Sequence, residues 1–216
     1  MARQERGIRT RREVLEAAAE VFAERGYAAA TISEILSRAG VTKGALYFHF
    51  ASKEELLRGV LEEQFTEKDI VPRESKLQEW VDVGMALAHR LPREPLLRAG
   101  ARLMSDPKLQ ELFGRGPQVS WVGLTHRLLA QAGERGELLP HVVPGETAQF
   151  VVNAWNGVQL GSQIAADWTD LEKQVSVLFR HVLPAVAVPG VLLRIDTAPD
   201  RGERVVAEVE RLPAPA

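Results

Sequence analysis

Apolar positions recur at helical spacing along nearly the whole chain, and the polar residues between them mark where helices start and stop. Between about Arg9 and Arg25, Val14, Ala17, Ala18, Val21 and Phe22 form one apolar stripe, which Gly26 ends. Ile32, Ile35, Leu36 and Ala39 form a shorter stripe. Thr31 and Glu34 have capping-box spacing ahead of it: the hydroxyl accepts from a backbone N–H and the carboxylate reaches back. Gly40 stands where a helix ends in positive φ. After Val41, Thr42 can cap a third helix from Lys43 to about His49, with Leu46 and Phe50 inward and Lys43, Gly44 and Tyr47 outward. Ser52 and Glu55 repeat the capping spacing before a helix from about Lys53 to Lys68, which carries Leu56, Leu57, Val60, Leu61 and Phe65. Two caps, one glycine and a tight turn between short helices predict a helix-turn-helix.

The rest reads as helix too. Leu77, Trp80, Val81, Gly84, Leu87 and Leu91 keep the period from Lys76 until Pro92, and Pro95 fits the first turn of a short helix ending near Met104. Asp106, Pro107, Gly114, Gly116 and Pro117 predict an irregular stretch, followed by a helix over Val119 to Ala132. The segment GERGELLPHVVPGE reads as a loop, and Pro144 opens a helix to about Ala166. Thr169 and Glu172 have capping-box spacing for a last long helix ending near Leu183, before Pro184. Residues 185–216 are proline-punctuated, with a short helix near Glu203 to Leu212; they either pack back or stay mobile. No 20–50-residue repeat is present. The expected fold is therefore all-α: a three-helix domain carrying the helix-turn-helix over residues 1–52, then a larger helical domain over 53–216, to which the roles of DNA binding and of ligand binding and dimerisation are assigned below. Residues 53–68 link the two, and 185–216 form a tail of undefined place.

The outward face of the helix at Lys43 carries the candidate chemistry. Lys43 offers charge to a phosphate or a guanine edge, and Tyr47 and His49 offer hydrogen bonds. Gly44 and Ala45 keep the helix start slim, and its N–H groups favour anions. An ordinary helical hairpin with a solvated polar face fits the same spacing.

At 216 residues and 45% hydrophobic, the chain can bury a substantial core in one domain or two. It has no cysteine, which excludes disulfides, thiolate metal sites and a cysteine nucleophile and suits a reducing cytoplasm. The net charge of −2 excludes a nonspecific basic coat, so DNA binding must come from local charge. Residues 1–12 supply it, with Arg3, Arg6, Arg9, Arg11 and Arg12 against Glu5, although a solvated arginine-rich tail has the same composition. The five histidines are scattered, and no His-Glu-x-x-His, nucleophile elbow or phosphate-binding glycine loop occurs. No catalytic residue, metal or cofactor is expected. No apolar run is long enough to cross a bilayer, and no signal region follows the arginines.

The stretch TISEILSRAGVTKGALYFHFASKEELL resembles the DNA-binding domain of TetR-type one-component transcriptional regulators, most diagnostically in VTKGALYFHFASKEEL. The opening MARQERGIRTRREVLEAAAEVFAERGY is similar to that family's first helix. The GALYFHF form, the MARQ start and RGELLP look like the γ-butyrolactone receptors of antibiotic-producing actinomycetes. The resemblance covers about the first quarter of the chain. It implies a cytoplasmic, homodimeric repressor on a pseudo-palindromic operator, released by a small apolar signal such as a γ-butyrolactone. Expected DNA contacts are Arg3, Arg9, Thr31, Ser33, Thr42, Lys43, Gly44, Ala45, Tyr47, His49 and Lys53.

The resemblance also implies that Trp121 contacts the ligand and that Gln64 lies near its carbonyl. Trp80 on another helix, and Trp155, Val158 and Ser162 on one helical face, complete the candidate lining. That last helix is rich in amides, Asn153, Asn156, Gln159 and Gln163, which must find partners if buried. Aromatics at helical spacing are more often core than ligand wall. Dimerisation through the last two long helices rests mainly on the resemblance, because their apolar faces would also bury within one chain. Three alternatives stay open at this point: a constitutive DNA-binding protein without a ligand, a pseudo-receptor answering to an antibiotic, and a helical small-molecule carrier.

Overall fold

The computed structural model describes residues 2–62, 71–103 and 116–211, and every regular element among them is helical apart from one isolated β-bridge, Leu138 to Ala187. The helices are α1 (Ala2–Ala29), α2 (Ile32–Ala39), α3 (Lys43–His49), α4 (Lys53–Glu62), α5 (Lys76–Arg90), α6 (Pro95–Leu103), α7 (Gly116–Glu134), α8 (Pro144–Ala166), α9 (Leu171–Val186), α10 (Pro189–Leu192) and α11 (Arg201–Arg211). The chain packs as two units. The described residues of the first are 2–62 and 93–103; those of the second are 71–92 and 116–211. Packing therefore groups α4 and α6 with α1–α3, whereas the expected boundary after residue 52 separates DNA contact from the rest.

In the first unit α1 is the central element, with α2, α3, α4 and α6 all against it. Val14, Leu15, Ala18 and Phe22 of α1 close over Ile35, Leu46, Phe50, Leu56, Leu57, Val60 and Ala99, all buried. Burying each large side chain contributes roughly 1.5–3 kcal/mol, and this packing, not intrinsic propensity, holds helices as short as α2 and α3. α1 begins well before Arg9. Two (i, i+4) pairs run along its exposed side, Arg9 Nε to Glu13 and Arg12 Nε to Glu16, both at 2.8 Å. Gly26, at φ 74° and ψ 163°, interrupts it as expected, and one helical turn continues to Ala29. The ring of Tyr27 then lies 5.8 Å from that of Phe22.

The second unit is built round α5, which packs against α7, α9 and α11, while α8 packs on α7 and α9. Three sequence expectations are corrected here. The capping box at Thr169 and Glu172 does not form: Asp170 is the N-cap of α9, the Thr169 hydroxyl donates to the Ala166 carbonyl, and the Glu172 carboxylate faces His89 Nδ1 at 3.1 Å. α9 also runs past Pro184 to Val186: the proline removes one N–H from the ladder, which resumes beyond it where Ala187 N donates to the Leu183 carbonyl at 2.8 Å. Finally, α7 starts at Gly116, inside the stretch expected to be irregular, with Pro117 in its first turn, where a missing N–H costs nothing.

The tail packs back. Asp82 of α5, 2% exposed, accepts from Arg73 Nε at 2.6 Å, Gln78 Nε2 at 2.7 Å, and Arg201 of α11 through Nη2 at 2.6 Å and Nε at 2.8 Å. The Gln78 amide also bonds the backbone of Asp196 in both directions, at 3.1 and 2.7 Å. At Gly202 a Cβ would stand 2.2 Å from the carbonyl oxygen of Met85, so only glycine allows α11 to lie this close to α5. Buried Glu137 caps the start of α5 by accepting from the Ser75 hydroxyl and from the backbone N–H groups of Lys76 and Leu77, at 2.9, 3.0 and 2.8 Å.

Candidate nucleic-acid interface

The turn between α2 and α3 is fixed at both ends by hydrogen bonds read from neighbouring residues. Thr31 Oγ1 accepts from Glu34 N at 3.2 Å, and the Glu34 carboxylate accepts from Thr31 N at 3.1 Å, completing the capping box. The Thr31 hydroxyl is the main cause holding the Glu34 carboxyl below its ordinary range. α2 closes at Gly40, φ 66°, a left-handed conformation that glycine adopts without a Cβ penalty. Thr42 Oγ1 then accepts from Ala45 N at 3.2 Å and starts α3. Ser52 Oγ accepts from Glu55 N at 3.1 Å, while Glu55 reaches one residue further back than in the standard box, to Ala51 N.

Leu46 and Phe50 pin α3 to the core, so its other face is presented to solvent. Lys43, Gly44, Tyr47 and Phe48 are exposed, Ala45 and His49 half-buried. Lys43 Nζ sits 5.8 Å from the centre of the Tyr47 ring, which draws cation and phenol to one side of the helix. Phe48, 84% exposed, is a residue the sequence reading passed over. The signal was present: it lies two residues from each buried anchor, about 200° round the helix from both. Its ring meets that of His49 edge-on at 5.1 Å.

The flanking candidates fare differently. Arg3 falls in the first turn of α1. Arg9 is exposed but paired with Glu13. Thr42 and Ser33 are exposed; Thr31 is exposed too, with its hydroxyl engaged by Glu34. Lys53 turns inward. Its ammonium donates to the Tyr27 carbonyl and lies 4.5 Å from the centre of the Tyr27 ring, and burial lowers its pKa. Arg38 is committed to Glu24 through two bonds of 2.8 and 2.9 Å. The cation left on the outer face of α3 itself is therefore Lys43.

Most effector candidates fall in the second unit. Trp80 is buried, edge-on to Phe179 at 5.2 Å. Phe179 lies over Gly84, where a Cβ would be 2.7 Å from its ring, and Trp155 Nε1 stands 3.8 Å from the same point. That indole N–H is enclosed and meets no acceptor among the described residues. Val158 and Trp121 are half-buried. Ser162 is buried, with its hydroxyl donating to Asp170 at 2.5 Å. Among the amides, Gln159 is buried and donates to Gln163 at 3.3 Å. Gln64 lies outside the described residues. The structure thus gathers Trp80, Trp155 and Phe179 round Gly84, and Phe179 was absent from the expected lining.

Residues 14–60 match the family profile described as bacterial regulatory proteins, tetR family. The chain is 42% identical to the A-factor receptor protein of Streptomyces griseus over 195 residues, 90% of this chain and 70% of that protein. Among solved structures it is similar to full-length native TylP, a TetR regulator from Streptomyces fradiae, with a TM-score of 0.89 and 40% identity over 95% of this chain and 100% of that one. It is also similar to a γ-butyrolactone receptor described as ArpA-like, with a TM-score of 0.67 and 25% identity over 95% and 98% of the two chains.

Proposed function

The chain belongs to the tetR family of bacterial regulatory proteins, as a helix-turn-helix transcriptional repressor and not an enzyme, and we propose that it holds a pseudo-palindromic operator as a homodimer until a small, largely apolar effector of the γ-butyrolactone type releases it. One observation carries the DNA half. The start of α3, capped by Thr42 and pinned by Leu46, presents Lys43, Gly44 and Tyr47 outward as a recognition helix presents its first turn to a major groove. Two such helices related by a two-fold axis would read half-sites about 34–36 Å apart. The axis is supported by α8, where Phe150, Leu160 and Ile164 stay exposed on one side together with Gly157 and Gly161. α9 contributes less, because Leu171, Val175 and Phe179 bury within their own chain. The protein would work in the cytoplasm, where its operator is.

The effector half is supported by the likeness to the A-factor receptor protein and to the γ-butyrolactone receptor, and by the aromatic cluster round Gly84 with its unanswered indole N–H. Binding must favour one arrangement of the second unit, and it shifts the equilibrium only by its difference in affinity between arrangements. The chain passes between the units after residue 92, between residues 62 and 71 and between residues 103 and 116, which gives such a change three covalent routes to the reading head.

An electrophoretic shift on the protein's own promoter region, with and without synthetic γ-butyrolactones and culture extract, tests the reading. A sequence-dependent shift released by a lactone is expected. Release by extract alone, through an antibiotic, makes the chain a pseudo-receptor. A shift nothing releases makes it a constitutive binder, and no shift with lactone bound makes it a carrier.

Two variants separate the halves. Lys43→Ala is expected to weaken operator binding about tenfold per half-site, to lower the slope of log affinity on log salt by about one per subunit, and to leave the melting temperature unchanged. Unchanged affinity at moderate salt would remove Lys43 from the interface. Trp121→Ala is expected to bind the operator as before and to lose its response to the effector, read by titrating the effector into the preformed complex. If that variant is unfolded by circular dichroism, Trp121 is core and not ligand wall.

A further inference from the structure

We propose that Phe48 reads the C5 methyl group of a thymine in each operator half-site, an assignment that rests on the operator reading above. Phe48 points most directly away from the buried anchors Leu46 and Phe50, with Gly44 one turn before it at i, i+4 and with Tyr47 and Lys43 about 100° and about 140° round the helix, so a duplex that takes the outward arc of α3 meets its ring. The ring cannot serve a phosphate or a base edge by hydrogen bonding, since it has no polar atom. The floor of a major groove offers one apolar feature, the thymine methyl, and phenylalanine is among the side chains that contact it.

The surroundings aim the ring. His49 supports it edge-on at 5.1 Å with planes 84° apart. Helical side chains lean toward the N-terminus, so the Phe48 ring leans toward the turn that begins at Gly44. Gly44 leaves that turn open, with no atom within 4 Å of where its Cβ would be. An apolar ring beside a slim, cationic helix start suits a groove whose walls are anionic and whose floor is locally methylated. Lys43 supplies attraction to any duplex, and Phe48 supplies a preference within it.

The test uses the full-length protein and its shortest bound promoter fragment, with each thymine replaced in turn by deoxyuridine, which removes the methyl and keeps every Watson–Crick hydrogen bond. One symmetric pair of positions is expected to stand out, weakening wild-type binding about fourfold per half-site and about fifteenfold when both are changed, the worth of one buried methyl each. In Phe48→Ala the same replacement is expected to have no effect; this variant loses an exposed ring and should fold as the wild type does. Equal deoxyuridine penalties in both proteins, or none in either, would overturn the assignment while leaving the operator reading intact. Absence of any sequence-specific complex with the wild type would sink both.

Discussion

Asp82→Ala is expected to lower the unfolding free energy by about 3–5 kcal/mol, because it leaves charged groups inside the protein without their acceptor. The Arg73 and Arg201 side chains are only 19% and 12% exposed, and the carboxylate they share is 3% exposed. Arg73 retains a contact to Glu208, and Arg201 retains Asp196 at 3.9 Å, but neither replaces a bidentate bond at 2.6 and 2.8 Å. The loss should fall first on residues 196–211, which Asp82, Gln78 and the Gly202 contact hold to α5. Urea titration measures the total, and limited proteolysis locates it, with new cleavage expected around Asp200. Asp82→Asn, which keeps the shape and one acceptor, should sit between. A loss below about 1 kcal/mol would mean that the cluster behaves as a solvated surface pair.

Leu46→Ala should cost about 2–5 kcal/mol and, unlike Lys43→Ala, should take DNA binding with it through the fold. Leu46 is fully buried, and α3 has seven residues. So short a helix has no stability of its own and depends on Leu46 and Phe50 for its seat. Cutting the first back to a methyl opens a cavity under the reading face and frees Tyr47 and Lys43 from a defined orientation. Operator affinity should fall more than a hundredfold, amide exchange in α3 should accelerate, and the melting temperature should drop. Retained affinity with a lowered melting temperature would show that α3 is ordered by the duplex and not by the core.

The helix-turn-helix was legible in the sequence because its determinants are local. Thr31 with Glu34 and Thr42 with Ala45 are bonds across three residues, Gly40 answers to its own φ, and Leu46 with Phe50 is one helical turn. The same locality misled at Thr169 and Glu172, where spacing was right but both side chains found other partners, the Ala166 carbonyl and His89. Lys53 shows the limit on the DNA side: in sequence it is a cation beside a reading helix, and only folding brings it onto Tyr27, 26 residues away. The tail was illegible because its anchors are remote; Arg201 and Asp82 stand 119 residues apart, and nothing in RGERVV announces a carboxylate on α5. Phe48 was visible by arithmetic but was overlooked among apolar neighbours that do bury.

The DNA-reading unit is not one continuous piece of chain. α6, which starts 46 residues after α3 ends, packs on α1 with Ala99 and Leu96 in the same core, and Arg102 Nη1 donates to the Ala23 carbonyl at 2.5 Å. A ribosome therefore has to finish Leu103 before the head can complete itself, although every residue meant for the duplex emerged long before. For anyone splicing this head onto a foreign sensor, one joint after α4 strips away a wall, and a working chimera needs a second graft to carry α6 across.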